Sequence, residues 1–279
     1  MKKRFQFSIR TLGVLVLLFS VGLVTYLSFS RESARQHRIA KTLITRGASY
    51  SSQADADPRI GAVFGFDYPL DNIDSVIGSG RSDWGFSPSW ECDDDDLAML
   101  VGCKNLTHLQ ICGENITDTG LKSLASHLNL RDLRIRYASV TDAGTTELLP
   151  LEKLEHLDLT GNKIGNPSMN VIVSLPNLTS LELSSTEVSE SGIARLTGLP
   201  RLRRLIIGDL PIGDGAFSDF AALKQLEYIF MNGALISDAT LDDLKQVQSL
   251  RSLNIFQCNV SPAAVSRFKH ALPNCKLIN

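Results

Sequence analysis

Between Leu106 and Leu272 the sequence returns to one pattern every 24 residues, and that period restricts the chain to a row of stacked coils. Leucine recurs at Leu106, Leu130, Leu154, Leu178, Leu202, Leu226 and Leu250. With each of these as position 1, position 4 is Leu109, Leu133, Leu157, Leu181, Leu205, Ile229 and Leu253. Position 6 is always Ile, Leu or Met, and position 11 is always β-branched, from Ile116 to Val260. One such unit cannot bury its apolar side alone, so neighbours must stack.

Within a unit, apolar and polar residues alternate at positions 4 to 6, as in Leu133-Arg134-Ile135. A period of two predicts a short strand with one buried face. The position-11 plug turns the chain inward. Thr117-Asp118, Thr141-Asp142, Ser189-Glu190 and Ser237-Asp238 then mark helix starts, where oxygen atoms accept from free backbone N–H groups and negative charge suits the dipole. Gly120, Gly144 and Gly192 at position 15 leave room for a neighbouring coil. Apolar residues at positions 16 and 19, such as Leu121 and Leu124, give a short helix one buried side.

The order Leu-x-x-Leu-x-Leu, plug, Thr/Ser-Asp-x-Gly-Leu-x-x-Leu resembles leucine-rich repeats, most closely over 106–129 and 178–201. The resemblance covers about 106–273, and more loosely from residue 70. It implies an α/β solenoid with parallel strands on the concave face and short helices outside. Position 9 departs from the pattern: Glu114, Ala138, Asn162, Thr186, Leu210, Ala234 and Cys258 stand where Asn, Cys or Thr is usual, which predicts a patchy side-chain ladder. Repeats with this signature also occur in the substrate-binding halves of F-box ubiquitin-ligase adaptors. In this chain an apolar span precedes the repeats instead of an F-box-like helical region.

Residues 1–10 are basic, and Thr11 to Phe29 carry no charge. As a helix the latter would measure about 28 Å, close to a bilayer's hydrocarbon core. The reading is an uncleaved transmembrane signal anchor; the rival is a cleaved signal peptide, for which the apolar stretch is long. Arg4-Phe5-Gln6-Phe7-Ser8-Ile9-Arg10-Thr11-Leu12 resembles the opening of single-pass membrane proteins of planctomycete bacteria, many of them followed by repeats of this kind. That resemblance implies a bacterial envelope protein. The basic head favours a cytoplasmic N-terminus and extracytoplasmic repeats, although Arg31, Arg35, Arg38, Lys41 and Arg46 lie beyond the other end.

Residues 30–46 predict a juxtamembrane amphipathic helix, and 47–104 an N-terminal cap with strands at Ile60–Tyr68 and Ile73–Ile77. Arg81 to Glu91 is an insertion holding both tryptophans, Trp84 and Trp90. The acidic run Asp93 to Asp96 lacks the alternating ligands and central Gly of a calcium loop and reads as a helix start. Seven repeats occupy 105–273, and 274–279 form a C-terminal cap.

Net charge is −2, so nothing global favours nucleic acid. Five cysteines without a C-x-x-C pair suggest no metal site, and no cofactor is implied. Cys92 and Cys258 read as buried, and Cys112 as the best candidate for an exposed thiol. His108 and His156 both fall at position 3, about 10 Å apart by strand spacing, too far for one metal ion. Nucleophile elbows, P-loops and HExxH helices are absent from the sequence, so the chain reads as non-catalytic.

Function is therefore expected on the outward strand positions. In the first half these include Arg134, Arg136 and Tyr137, with Asp158 and Glu182. In the second half they include Arg204, Ile206, Tyr228, Phe230, Asn232 and Phe256. Aromatic and Arg residues beside polar ones are the composition of a protein-binding hot spot. The expectation is a membrane-anchored protein-binding module; the alternatives are an F-box-like substrate adaptor or a self-associating structural envelope protein.

Overall fold

The computed structural model describes residues 48–52, 73–78, 92–101 and 103–279. The expected anchor at Thr11 to Phe29, the helix at 30–46, the strand at Ile60–Tyr68 and the tryptophan insertion lie outside the described residues. No helix among the described residues is long and apolar enough to cross a membrane.

Ten strands form one sheet in chain order: β1 (Ala48–Ser52), β2 (Ile73–Gly78), β3 (His108–Cys112), β4 (Asp132–Arg136), β5 (His156–Asp158), β6 (Ser180–Glu182), β7 (Arg204–Ile206), β8 (Tyr228–Phe230), β9 (Ser252–Asn254) and β10 (Lys276–Ile278). β1 runs antiparallel to β2, and every later pair is parallel. Ala48–Ser52 carries no repeat signature and was not expected as a strand. The C-terminal segment supplies one more strand, β10, and then stops. The returning limbs carry α1 (Asp94–Leu100), α2 (Asp118–Leu124), α3 (Asp142–Thr145), α4 (Asn166–Ile172), α5 (Glu190–Ile193), α6 (Asp238–Leu244) and α7 (Pro262–Ala271). Parallel strands sit about 4.8 Å apart. Helices are wider than that, so the strand side is the inside of the curve.

The core is the repeat itself. Positions 1, 4, 6 and 11 of the first six units are all buried, and only the last plug, Val260, is partly open. Between β7 and β8 the helical limb is 3-10 instead of α, over Asp214–Phe217 and Phe220–Ala222. Gly213 and Gly215 weaken α-helix there, and Phe217 packs edge-on against Phe220 with ring centroids 5.1 Å apart.

The helix-start residues do more than cap their own helices. Thr117, Thr141, Ser237 and Ser261 do cap, each accepting from a backbone N–H of its own first turn. The carboxylate beside them reaches instead to the following coil. Asp94 accepts from the N–H (2.8 Å) and hydroxyl (2.6 Å) of Thr117. Asp118 does the same to Thr141, Asp214 to Ser237 and Asp238 to Ser261. In the middle, Asp142 takes the N–H groups of Gly165 and Ser168, and Asn166 holds Ser189. Burial pushes the Asp214 carboxyl up, but the bonds from Ser237 and Thr240 outweigh it and hold the group below its ordinary range. The Ser261 hydroxyl does likewise for Asp238.

Position 15 follows from this ladder. A methyl group on Gly120, Gly144 or Gly192 would overlap the carboxylate or amide of the preceding unit. At two units the position offers a hydroxyl instead, Ser168 to Asp142 and Thr240 to Asp214, and at two more it is a buried alanine, Ala216 and Ala264. The acidic run resolves into the same scheme. Asp93 and Asp96 form a reciprocal capping box at α1, and Asp94 is the first rung. At position 9 the ladder is indeed patchy. Asn162 is buried and ties the carbonyl of Ile135 to its own turn, and the Cys258 thiol meets the carbonyl of Met231, while Ala138, Leu210 and Ala234 only fill space.

Asp118→Ala should lower stability by about 2 kcal/mol, since two bonds to a charged acceptor go. Gly144→Ala should also destabilise, because Asp118 occupies the space its methyl needs. The double variant should cost less than the two singles combined when measured by urea unfolding. Strict additivity would show that the carboxylate and the glycine are not coupled.

Candidate functional site

The strand register sets the outward side chains in rows. Along position 3 the row reads His108, Asp132, His156, Ser180, Arg204, Tyr228 and Ser252; along position 5 it reads Gln110, Arg134, Asp158, Glu182, Ile206, Phe230 and Asn254. The first half of this face is an ionic network. Arg134 meets Asp132 with both arms of its fork, at 2.9 Å each. Arg136 pairs with the buried Asp158 and lies 3.5 Å from Glu182. Glu182 in turn approaches Arg204 at 3.9 Å, and the Arg204 guanidinium lies over the Tyr228 ring, 4.4 Å from its centroid. Charge thus passes from β4 to β8 and ends on an aromatic ring.

Burial pushes the Glu182 carboxyl up to about 7, and the neighbouring Asp158 charge adds to the effect; Arg136 and Arg204 oppose it. A shallow depression lies here, lined by Arg134, His156, Leu157, Asp158, Ser180 and Glu182. No group of three His, Cys, Asp or Glu suited to a metal ion occurs among the described residues.

Beyond β6 the face turns apolar. Ile206 and Phe230 are partners in register, and Tyr228 stands beside Arg204 in the neighbouring row. Phe256 is 54% exposed and lies on the turn after β9. The Asn232 Oδ1 atom is buried against Gly208 without a hydrogen-bond partner. Tyr137 is exposed and its ring covers Gly161. Eight of the nine residues expected from sequence therefore fall into two groups. Arg134, Arg136 and Arg204 belong to the ionic network, and Ile206, Tyr228, Phe230, Asn232 and Phe256 belong to the apolar end. Tyr137 stands apart on a turn.

Two features escaped the sequence reading. Asp132 sits at position 3 and pairs Arg134; the period alone could have placed it. Position 8 is left-handed in every unit: Gly113, Tyr137, Gly161, Ser185, Asp209, Gly233 and Gln257 all have positive φ. Only three of the seven are glycine, so composition hid a conformation that the fold imposes at each strand end.

The leucine-rich-repeat family matches residues 102–125 and 151–172. Internalin C2 of Listeria monocytogenes superposes with a TM-score of 0.50 at 22% identity, over 75% of this chain and 82% of that one. The fold is a leucine-rich-repeat solenoid. A leucine-rich-repeat protein of Leptospira interrogans superposes equally well, with a TM-score of 0.50 at 18% identity, over 64% of this chain and 50% of its own. By sequence the chain is 36% identical over 69 residues, 22% of its length, to a putative F-box protein of Arabidopsis thaliana. That stretch spans 22% of the relative's length.

The Glu182 environment has a pH signature. Its folded value, about 7, lies above its ordinary value of 4.5, so the folded state binds more proton between them. The stability this group adds is fully present below pH 4.5 and is lost as pH rises through about 7. Relative to Glu182→Gln, the natural chain should therefore lose urea resistance across that window. Parallel profiles for the two proteins would place the raised carboxyl elsewhere.

Proposed function

We propose that the strand face binds a protein partner and that the chain holds this face at a membrane. The observation that carries the reading is the junction at β7 and β8. There Arg204, stacked on Tyr228, borders Ile206 and Phe230, with the exposed Phe256 further along. Rigid aromatic anchors beside an arginine lose little side-chain freedom on binding, and such residues dominate interface energies. The first half of the face contributes charge already arranged in pairs, which suits orientation of a partner more than adhesion. Its arginines each lie against a carboxylate, an arrangement that suits recognition. The uncharged stretch Thr11 to Phe29 supports a single-pass anchor, and the basic head before it supports extracytoplasmic repeats.

A second reading is a substrate adaptor of F-box type. The similarity to the Arabidopsis protein favours it, over 69 residues.

Affinity capture with the full chain from detergent-solubilised cells tests the first reading. Phe230→Asp should lower recovery of a bound protein at least about tenfold, the size of a hot-spot loss. Lys122→Glu on the helix side should leave recovery unchanged. Equal recovery from all three chains would remove the strand face from consideration. Protease digestion of the repeats in intact cells, before and after opening the inner membrane, tests the topology independently.

A further inference from the structure

The two long edges of the solenoid differ in charge. One edge, where the strands end and the helices begin, holds the carboxylate ladder from Asp94 to Asp238. The other is built by positions 22 to 24 and 1 to 3, where each helical limb returns to the next strand. In its C-terminal half this second edge comprises residues 199–204, 223–228, 247–252 and 271–276. These segments contain Arg201, Arg203, Arg204, Lys224, Arg251 and Lys276 against a single carboxylate, Glu227. All six cations are exposed. In the N-terminal half, residues 103–108, 127–132, 151–156 and 175–180, three cations are balanced by Asp132, Glu152 and Glu155. The imbalance thus belongs to one place, between β7 and β10, which are about 14 Å apart by strand spacing.

The internal contacts of these cations leave most of the charge uncompensated. Arg203 pairs with Glu227 at 3.2 Å, and Arg204 is 3.9 Å from Glu182. Arg201 donates to the neutral side chain of Asn177, and Lys224 to the carbonyl of Ala221. No carboxylate from the same segments is left for Arg251 or Lys276. Apart from Arg204, which also serves the strand face, neither tight folding nor that face requires such a cluster, since the matching edge of the first half is electrically balanced.

We propose that this basic edge docks on an anionic lipid surface, so that the solenoid lies along the bilayer with its ladder edge turned away. The inference rests on the anchor reading for its geometry. Between Phe29 and Ala48 lie 18 residues. A segment of that length spans at most roughly 60 Å, so an anchored solenoid can reach the headgroups with this edge. Basic residues near an anionic membrane are attracted within a Debye length, and carboxylates are repelled. Opposite charge on opposite edges selects one orientation. In that orientation the strand face stands upright beside the membrane and remains open to a partner.

The test uses the full chain reconstituted with phosphatidylcholine vesicles, with or without phosphatidylglycerol, and an amine-reactive ester read by mass spectrometry. Lys224 and Lys276 should label several-fold more slowly in the anionic vesicles. Lys122 and Lys163, exposed on other sides, should label equally in both. High salt should remove the protection, as should the double variant Arg203→Glu/Arg251→Glu. Labelling that ignores lipid charge, or that slows equally at all four lysines, overturns the proposal. Flotation separates this from the anchor reading. A chain that floats with phosphatidylcholine alone but shows no charge-dependent protection keeps the anchor and loses the edge. A chain that floats only with phosphatidylglycerol loses the anchor and keeps the edge.

Discussion

A carboxylate that leaves its own helix start to hold the next one is the interaction on which this solenoid depends. Apolar stacking draws coils together but is indifferent to small slips between them. The bonds from Asp94, Asp118, Asp214 and Asp238 to the hydroxyl and N–H of the following Thr or Ser fix each coil against its neighbour to within a hydrogen-bond length. They satisfy backbone donors that a short helix leaves free at its N-terminus. They also explain why position 15 is always small or hydroxyl-bearing from Gly120 to Ala264: at Gly144 a methyl group would overlap Asp118, and at Thr240 the hydroxyl donates to Asp214. The strand rows inherit their register from this alignment, and the outward side chains inherit theirs from the strands.

Most of this architecture was legible because a repeat states the same constraint many times over. Leu133 alone says little; Leu109, Leu133, Leu157, Leu181 and Leu205 at one spacing fix a buried column. What stayed hidden was what the repeat does not spell consistently. The left-handed turn at position 8 is imposed by tertiary geometry on Tyr137, Ser185, Asp209 and Gln257, none of which announces it. The role of the position-13 carboxylate was read as local, because a helix-start acid has a sufficient local reason to be there. Only the stacked coils show that Asp118 serves Thr141. β1 has no counterpart in the repeat, and its sequence, Ala48 to Ser52, lacks the leucine signature that betrays the others.

The candidate site was legible residue by residue but not as a system. Alternation placed Arg136, Asp158 and Glu182 on the open face. It could not show that Asp158 is buried beneath its partner, or that burial raises the Glu182 carboxyl into the neutral range. Cross-strand pairing is what converts separate charges into a chain of contacts ending on Tyr228. The division of the face into a charged half and an apolar half follows from which residues occupy position 5: Arg134, Asp158 and Glu182 first, then Ile206 and Phe230.

The ladder has a direction. The coils of Asp94, Asp118, Asp142, Asn166, Asp214 and Asp238 each present an acceptor to their successor. In the last helix the acceptor's place is taken by Pro262, while Ser261 still receives Asp238. Proline begins a helix well but has nothing to hand on. At this end the ladder has no acceptor to offer, so a coil placed beyond it would be held by strand pairing and apolar contact alone.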